Sequence, residues 1–171
     1  MIYIIFLFGL LTGSFLNVCI FRLVDGESIV FPPSHCIHCR EKLQPRDLIP
    51  VVSYLMLGGR CRYCKKKISL QYPAVELLTG FLFVLVYCRF GLTWQFSAYS
   101  ILCAVLIVAS FIDLKHRIIP NSLVLFGALA GLPFIVFNVT VDVVDGLLGL
   151  LAGGGILLLL ALLSLFVFKK E

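Results

Sequence analysis

Charge is what this chain has least of. Of its 171 residues, 13% are Asp, Glu, Lys or Arg, while 61% belong to the hydrophobic set and the mean hydropathy is +1.08. A globular domain carries about 25% charged residues, so too few are present to coat a water-facing surface, and a single soluble domain is disfavoured. Intrinsic disorder is excluded as well, because it combines low hydrophobicity with high net charge. A basic segment ahead of the first apolar stretch is also missing. Arg22 follows that stretch, which therefore reads as a retained helix and not as a cleaved signal peptide. No internal repeat stands out, and no low-complexity tract beyond the Leu-rich last stretch.

What is present is organised by where charge is absent. Met1–Phe21, Phe90–Ile112, Ile118–Val141 and Gly146–Phe168 contain no charged residue, and about 20 apolar residues cross the hydrocarbon core as helix. A fifth candidate runs from Tyr72 to Cys88, interrupted only by Glu76, an intramembrane polar candidate close to the positive end of the helix dipole. Pro73 suits the first turn of that helix. The expectation is an all-α membrane protein, a bundle of about five transmembrane helices. Residues 1–21 form the first helix, 22–71 a cytoplasmic loop, and 72–171 a four-helix part. Thirteen of the fourteen Lys and Arg residues fall on one side of this arrangement: nine between Arg22 and Lys67, then Lys115, Arg117, Lys169 and Lys170. Only Arg89 falls on the other, so the richer side is cytoplasmic and the N-terminus lies outside. Topology thus accounts for the basic charge, and the expected partner is a lipid bilayer, with no nucleic acid. Gly9 and Gly13, Gly127 and Gly131, and Gly149 and Gly153 form small-xxx-small pairs that let helix backbones approach closely.

Seven cysteines are present, and Cys36, Cys39, Cys61 and Cys64 form two C-x-x-C pairs. Two such turns complete a tetrahedral four-sulfur site for zinc. The loop was assigned to a reducing compartment, which favours metal ligation over two disulfides; iron in a rubredoxin-like site is the minor alternative. Four thiolates leave no open coordination position, so the metal is structural. His35 and His38 read as neighbours of the site, and Cys19, Cys88 and Cys103 as packing residues within spans.

Asp113 follows directly after an uncharged span, and the next basic residues are Lys115 and Arg117. Position alone divides evenly between an acid suited to proton transfer and an interfacial residue paired with Lys115 or Arg117. An aspartyl protease needs two carboxylates sharing a proton around a water. Asp142 and Asp145 fall on the opposite side of the membrane and do not partner Asp113.

Taken in order, the motifs resemble the type IV prepilin leader peptidases. The residues that carry the resemblance are Gly13-Ser14-Phe15-Leu16-Asn17-Val18 with Arg22, Phe31-Pro32-Pro33-Ser34, Asp47-Leu48-Ile49-Pro50-Val51, Ser53-Tyr54-Leu55, Gly59-Arg60-Cys61-Arg62-Tyr63-Cys64, Tyr72-Pro73 with Glu76-Leu77, and Asp113 with Ile119-Pro120-Asn121. The resemblance implies a bacterial inner-membrane aspartic endopeptidase of the GxGD class. Such an enzyme cuts prepilins and pseudopilins on the cytoplasmic side, after the glycine that ends a short leader, with Asp113 as one catalytic carboxylate. It also implies N-methylation of the new terminus from S-adenosylmethionine, associated with the cysteine loop and Gly59. No glycine-rich nucleotide fingerprint independently supports methyl transfer. The sequence as given stops at Glu171, before the family's Gly-x-Gly-Asp segment, so the expectation is a portion that does not cleave prepilin alone. The alternative is a non-enzymatic zinc-bearing scaffold of a pilus or type II secretion machine.

Overall fold

The computed structural model describes residues 1–167, with side chains described through Leu163; Lys169 and Lys170 of the orientation argument lie outside the described residues. The helices are α1 (Ile2–Asp25), α2 (Val52–Met56), α3 (Gln71–Phe90), α4 (Trp94–His116), α5 (Asn121–Val136) and α6 (Val143–Val167), with a 3-10 turn at Pro45–Leu48. Among the described residues there is no strand, only two isolated β-bridges. The protein is all-helical, and α1, α3, α4 and α6 are long and apolar enough to cross a membrane.

The fourth expected span is shorter than its uncharged run. Only Asn121–Val136 is helical, 16 residues with Pro133 inside. Pro120 disfavours helix in the residue before it, and the first-turn N–H groups of Leu123 and Val124 go to its carbonyl. At the other end the chain turns at Asn138, where φ is 51°. An absence of charge reports contact with lipid or core and does not set where the backbone turns. The first span departs in the opposite sense. α1 continues one turn past Phe21 and stops at Gly26, whose left-handed φ of 68° sends its N–H back to the Arg22 carbonyl. Arg22 is therefore inside the helix and buried.

The chain divides into two compact units, Met1–Ala130 and Gly131 onward. In the first, α1 and α3 pack backbone against backbone. A Cβ added at Gly9 would lie 2.6 Å from the Gly80 Cα, and one at Gly13 would lie 2.7 Å from the Glu76 Cα. Around that seam Leu16, Ile20, Val75, Val108, Ile112 and Leu123 form one buried cluster, drawn from α1, α3, α4 and the start of α5. A second cluster joins Ile5, Phe83 and Phe96, with the last two rings edge to face at 6.3 Å. Most other large apolar side chains on the long helices face outward, as a lipid-facing surface requires. In the second unit, Gly146 packs on Ile135, whereas Gly149 and Gly153 meet no neighbour within that unit.

The α1/α3 seam generates a prediction. Gly13→Leu has no side-chain space and must push the helices apart, whereas the same change at Gly149 meets no neighbour in its unit. Overpacking costs about 1–3 kcal/mol, so denaturant titration in detergent should show a loss of that order for Gly13→Leu and a smaller change for Gly149→Leu.

Candidate functional site

The two cysteine pairs fold into the same turn twice. In the first, the Cys36 N–H donates to the Glu41 carbonyl, the Arg40 N–H to the Cys36 carbonyl and the Leu43 N–H to the Ser34 carbonyl; Cys61 to Lys66, Lys65 to Cys61 and Ile68 to Gly59 repeat these bonds. The residue after each pair, Arg40 or Lys65, takes a left-handed φ of 57° or 59°. The bridges His35 to Lys42 and Arg60 to Lys67 close the two turns alike. This is an internal repeat, contrary to the expectation of none. Side chains other than the cysteines and the flanking basic residues differ between the two turns, so the repetition lies in the backbone bonds and not in the sequence.

The repeat brings the sulfur atoms of Cys36, Cys39, Cys61 and Cys64 within 4.8 Å of one another, an arrangement that could hold a metal ion. Cys36 Sγ and Cys64 Sγ are 3.9 Å apart. Zinc–sulfur bonds of about 2.3 Å in a tetrahedron put sulfurs roughly 3.8 Å apart, so the donor set fits. Burial opposes ionisation of Cys36, but the Cys39 and His38 N–H groups and the Cys61 and Cys39 thiols donate to its sulfur and bring its pKa down to about 7. At Cys39 the Glu41 N–H favours the thiolate, yet desolvation and the neighbouring sulfurs prevail and push the pKa up to about 11. A cysteine must lose its proton to bind a metal, so metal binding weakens as the pH falls. The His35 Nδ1 lies 3.1 Å from the Pro33 carbonyl, and neither His35 nor His38 is part of the cluster.

Three polar ties hold this ribbon to the helices and to itself. The buried Arg22 guanidinium donates to the carbonyls of Ser28 at 2.9 Å and Pro32 at 2.6 Å, clamping the chain that leaves α1. Glu76, buried in the second turn of α3, accepts the Val51 N–H at 2.7 Å. Val51 has a φ of 60°, an outlier for a β-branched residue, and the carboxylate fixes it just ahead of α2. Asp47, in the 3-10 turn, receives the Arg62 Nε at 2.8 Å and Nη2 at 2.6 Å. That hydrogen bond holds the Asp47 carboxyl below the usual carboxylate range and ties the turn to the second cysteine pair. Gly59, with φ 66°, is covered by Tyr54, whose hydroxyl oxygen would lie 2.8 Å from an added Cβ. The motifs that carry the family resemblance include Arg22, Asn17 and Asp47, but they do not reveal what these side chains bind; for Arg22 and Asn17 the signal is a polar residue within an apolar helix, costly in lipid.

Between the ribbon and the ends of α1 and α3 lies a cavity of about 420 Å³ lined by Ser14, Asn17, Glu76, Tyr54, Cys61 and Tyr72, among others. The end of α4 is at the same level: Lys115 Nζ sits 4.7 Å from the centre of the Phe21 ring, which stacks on Tyr72 at 5.2 Å. Asp113 is one turn before the end of α4, which continues to His116, and its side chain is exposed. It pairs with neither Lys115 nor Arg117 among the described residues; the Arg117 N–H returns to its backbone carbonyl at 2.9 Å. Glu76 and Asp113 share this end but belong to separate surroundings, one buried beneath the ribbon and the other open.

Removing one sulfur tests the centre. Cys36→Ser should lower bound metal from about one per chain to well below half, read by elemental analysis of the purified protein, with zinc the metal expected. Unchanged metal content would remove Cys36 from the ligand set.

Residues 7–90 match the bacterial peptidase A24 N-terminal domain, and residues 100–170 match the type IV leader peptidase family. A prepilin leader peptidase/N-methyltransferase of Myxococcus xanthus is 40% identical over 98% of this chain and 50% of its own length. A protein of the same name from Bacillus subtilis is 36% identical over 90% of the chain and 62% of its own length. Another, from Klebsiella pneumoniae, is 37% identical over 87% and 68%. The chain spans about half the length of the first of these relatives. No solved structure matches it.

Proposed function

The chain belongs to the type IV leader peptidase family, and from that premise we propose that it carries the methyl-transfer region and one catalytic aspartate of a prepilin leader peptidase and N-methyltransferase. The observation that carries the reading is the gathering of the sulfur cluster, the cavity and the exposed Asp113 at one end of α1, α3 and α4. That end also bears the basic residues of the ribbon, so it faces the cytoplasm of the bacterial inner membrane. The substrates are prepilins or pseudopilins, which reach it from that side.

In this reading residues 1–21 and 72–171 belong to the membrane part and residues 22–71 to the ribbon. Cys36, Cys39, Cys61 and Cys64 hold zinc, which supplies shape and no reactive water because the site is closed. Gly59 keeps the backbone tight beneath Tyr54 at the edge of the second turn. The methyl donor would be S-adenosylmethionine, which supplies an electrophilic methyl group. Asp113 works with a second carboxylate, the two sharing one proton. One accepts a proton from water as it attacks the peptide carbonyl, and the other protonates the leaving amine. An open position at the helix end is what such a residue requires, because the scissile peptide must be able to approach it.

Asp113→Asn in the full-length enzyme should reduce prepilin cleavage roughly 10²–10⁴-fold, the scale of general acid and base catalysis, with membrane insertion and metal content unchanged. Leader removal is read by the mobility shift of a purified prepilin. Cleavage at the wild-type rate would take Asp113 out of the mechanism.

A further inference from the structure

We propose that the floor of the cavity is an amine-binding site, in which Asn17 and Glu76 hold the α-ammonium of a peptide and Glu76 takes a proton from it. The inference rests on the peptidase and N-methyltransferase reading and adds the subsite for the methyl acceptor.

The floor has more acceptors than donors. Both Asn17 Nδ2 hydrogen bonds are spent, one on the Gly13 carbonyl at 3.3 Å and one on the Tyr72 carbonyl at 3.1 Å. Those two carbonyls fix which way the amide points. Its Oδ1 is buried and receives no donor, although the residue is only 1% exposed and lines the cavity. A buried polar atom without a partner calls for an occupant. Glu76 stands on the facing helix. It accepts the Val51 N–H and meets the Ser14 side chain, and among the described residues it has no ion-pair partner. Of the cations that line the cavity, Arg22 is engaged with two loop carbonyls and Arg62 with Asp47, while Arg40, Lys66 and Lys67 belong to the ribbon, and none of them forms an ion pair with Glu76. A carboxylate at membrane depth with no counter-ion is costly and marks a functional position.

A ligand that answers these groups is all donor and positively charged. A primary ammonium has three N–H groups and no lone pair, the pattern of a lysine head group. The stacked Phe21 and Tyr72 rings that line the same cavity give an apolar wall for the residue bearing the amine. The reading above supplies the chemistry, because cutting a peptide bond leaves an α-amine. That amine has a pKa near 8 and is mostly protonated at neutral pH, so it has no lone pair with which to attack carbon. The Glu76 carboxylate takes one proton, and the free amine attacks the methyl carbon of a sulfonium donor. A C–N bond forms as the C–S bond breaks, the bonding pair leaves on sulfur as a neutral thioether, and the positive charge ends on the N-methylammonium product.

The test separates an ammonium site from a purely structural tie. Glu76→Gln keeps an oxygen for the Val51 N–H while removing the charge, so metal content and the melting transition report whether the fold is retained. Binding of an apolar peptide with a free α-amine and of its Nα-acetyl analogue is measured by fluorescence anisotropy on the 171-residue chain in nanodiscs. The wild type should prefer the free amine by roughly tenfold or more, about the worth of one charge-assisted hydrogen bond, and Glu76→Gln should lose that preference. Equal binding of both peptides by the wild type, binding of neither, or an undiminished preference in the variant would overturn the proposal. The cleavage assay on Asp113→Asn judges the peptidase reading separately, since it does not depend on this site.

Discussion

The close approach of α1 and α3 is the constraint on which the polar end of the molecule depends. Gly9 and Gly13 let the two backbones meet with no side chain between them. At that separation an amide as short as that of Asn17 can span from its own helix to the Tyr72 carbonyl at the start of α3. The same proximity places the Glu76 backbone directly against Gly13. In a bilayer the hydrophobic effect offers little to drive helices together, because lipid tails are as apolar as leucine. Tight packing and interhelical hydrogen bonds must do so instead. Both are concentrated in this seam, which explains why the fully buried residues Val75, Thr79, Ile112 and Asn17 gather around it while the rest of the apolar surface faces outward.

From the seam the argument passes to the ribbon through Glu76. Its carboxylate belongs to a membrane helix, yet its partner is the backbone of the loop, at a valine held in a left-handed conformation. Such a conformation is adopted only where the surroundings over-determine it. Here the surroundings are the carboxylate below, the Pro50 that precedes Val51, and the short α2 that follows it. Arg22 performs the complementary task where the chain leaves α1, and Asp47 with Arg62 closes the ribbon internally. The ribbon is tied by directional polar bonds to α1 near its start and to α3 at Val51, and Arg22 and Glu76, which make those bonds, line the cavity.

The division between what could be read beforehand and what could not follows the range of each signal. The long helices were legible because lipid imposes an average property, absence of charge, over about 20 residues. The sulfur cluster was legible because two C-x-x-C turns satisfy a metal through local geometry alone. Boundaries were less so: Arg22 and Asp25 lie within α1 despite their charge, and Ile118–Val141 yields only 16 helical residues despite having none. Asp47–Arg62 and Glu76–Val51 were illegible, since each joins positions 15 or 25 residues apart with no periodicity to announce it. Asp113 was marked by its place at the end of a span, and the fold leaves its side chain exposed there.

The ribbon also shows why a small water-facing element needs a metal or an equivalent. Few of its residues between Gly26 and Leu70 are buried, chiefly Pro50, Gly59 and Cys61, whereas Val30, Phe31, Ile37, Leu55 and Met56 are exposed. No hydrophobic core forms there, and a chain of this size without one is marginal unless it is stapled. Four converging sulfurs that could hold a metal are placed at the centre to serve as that staple, and polar ties join the ribbon to α1 and α3. Because those edge ties are made by Arg22 and Glu76, the residues that hold the ribbon also line the cavity beneath it. Stability and binding are therefore drawn from the same side chains. A substitution at that floor can be interpreted only when the hydrogen bond that builds the site is preserved while the charge that would act in it is removed.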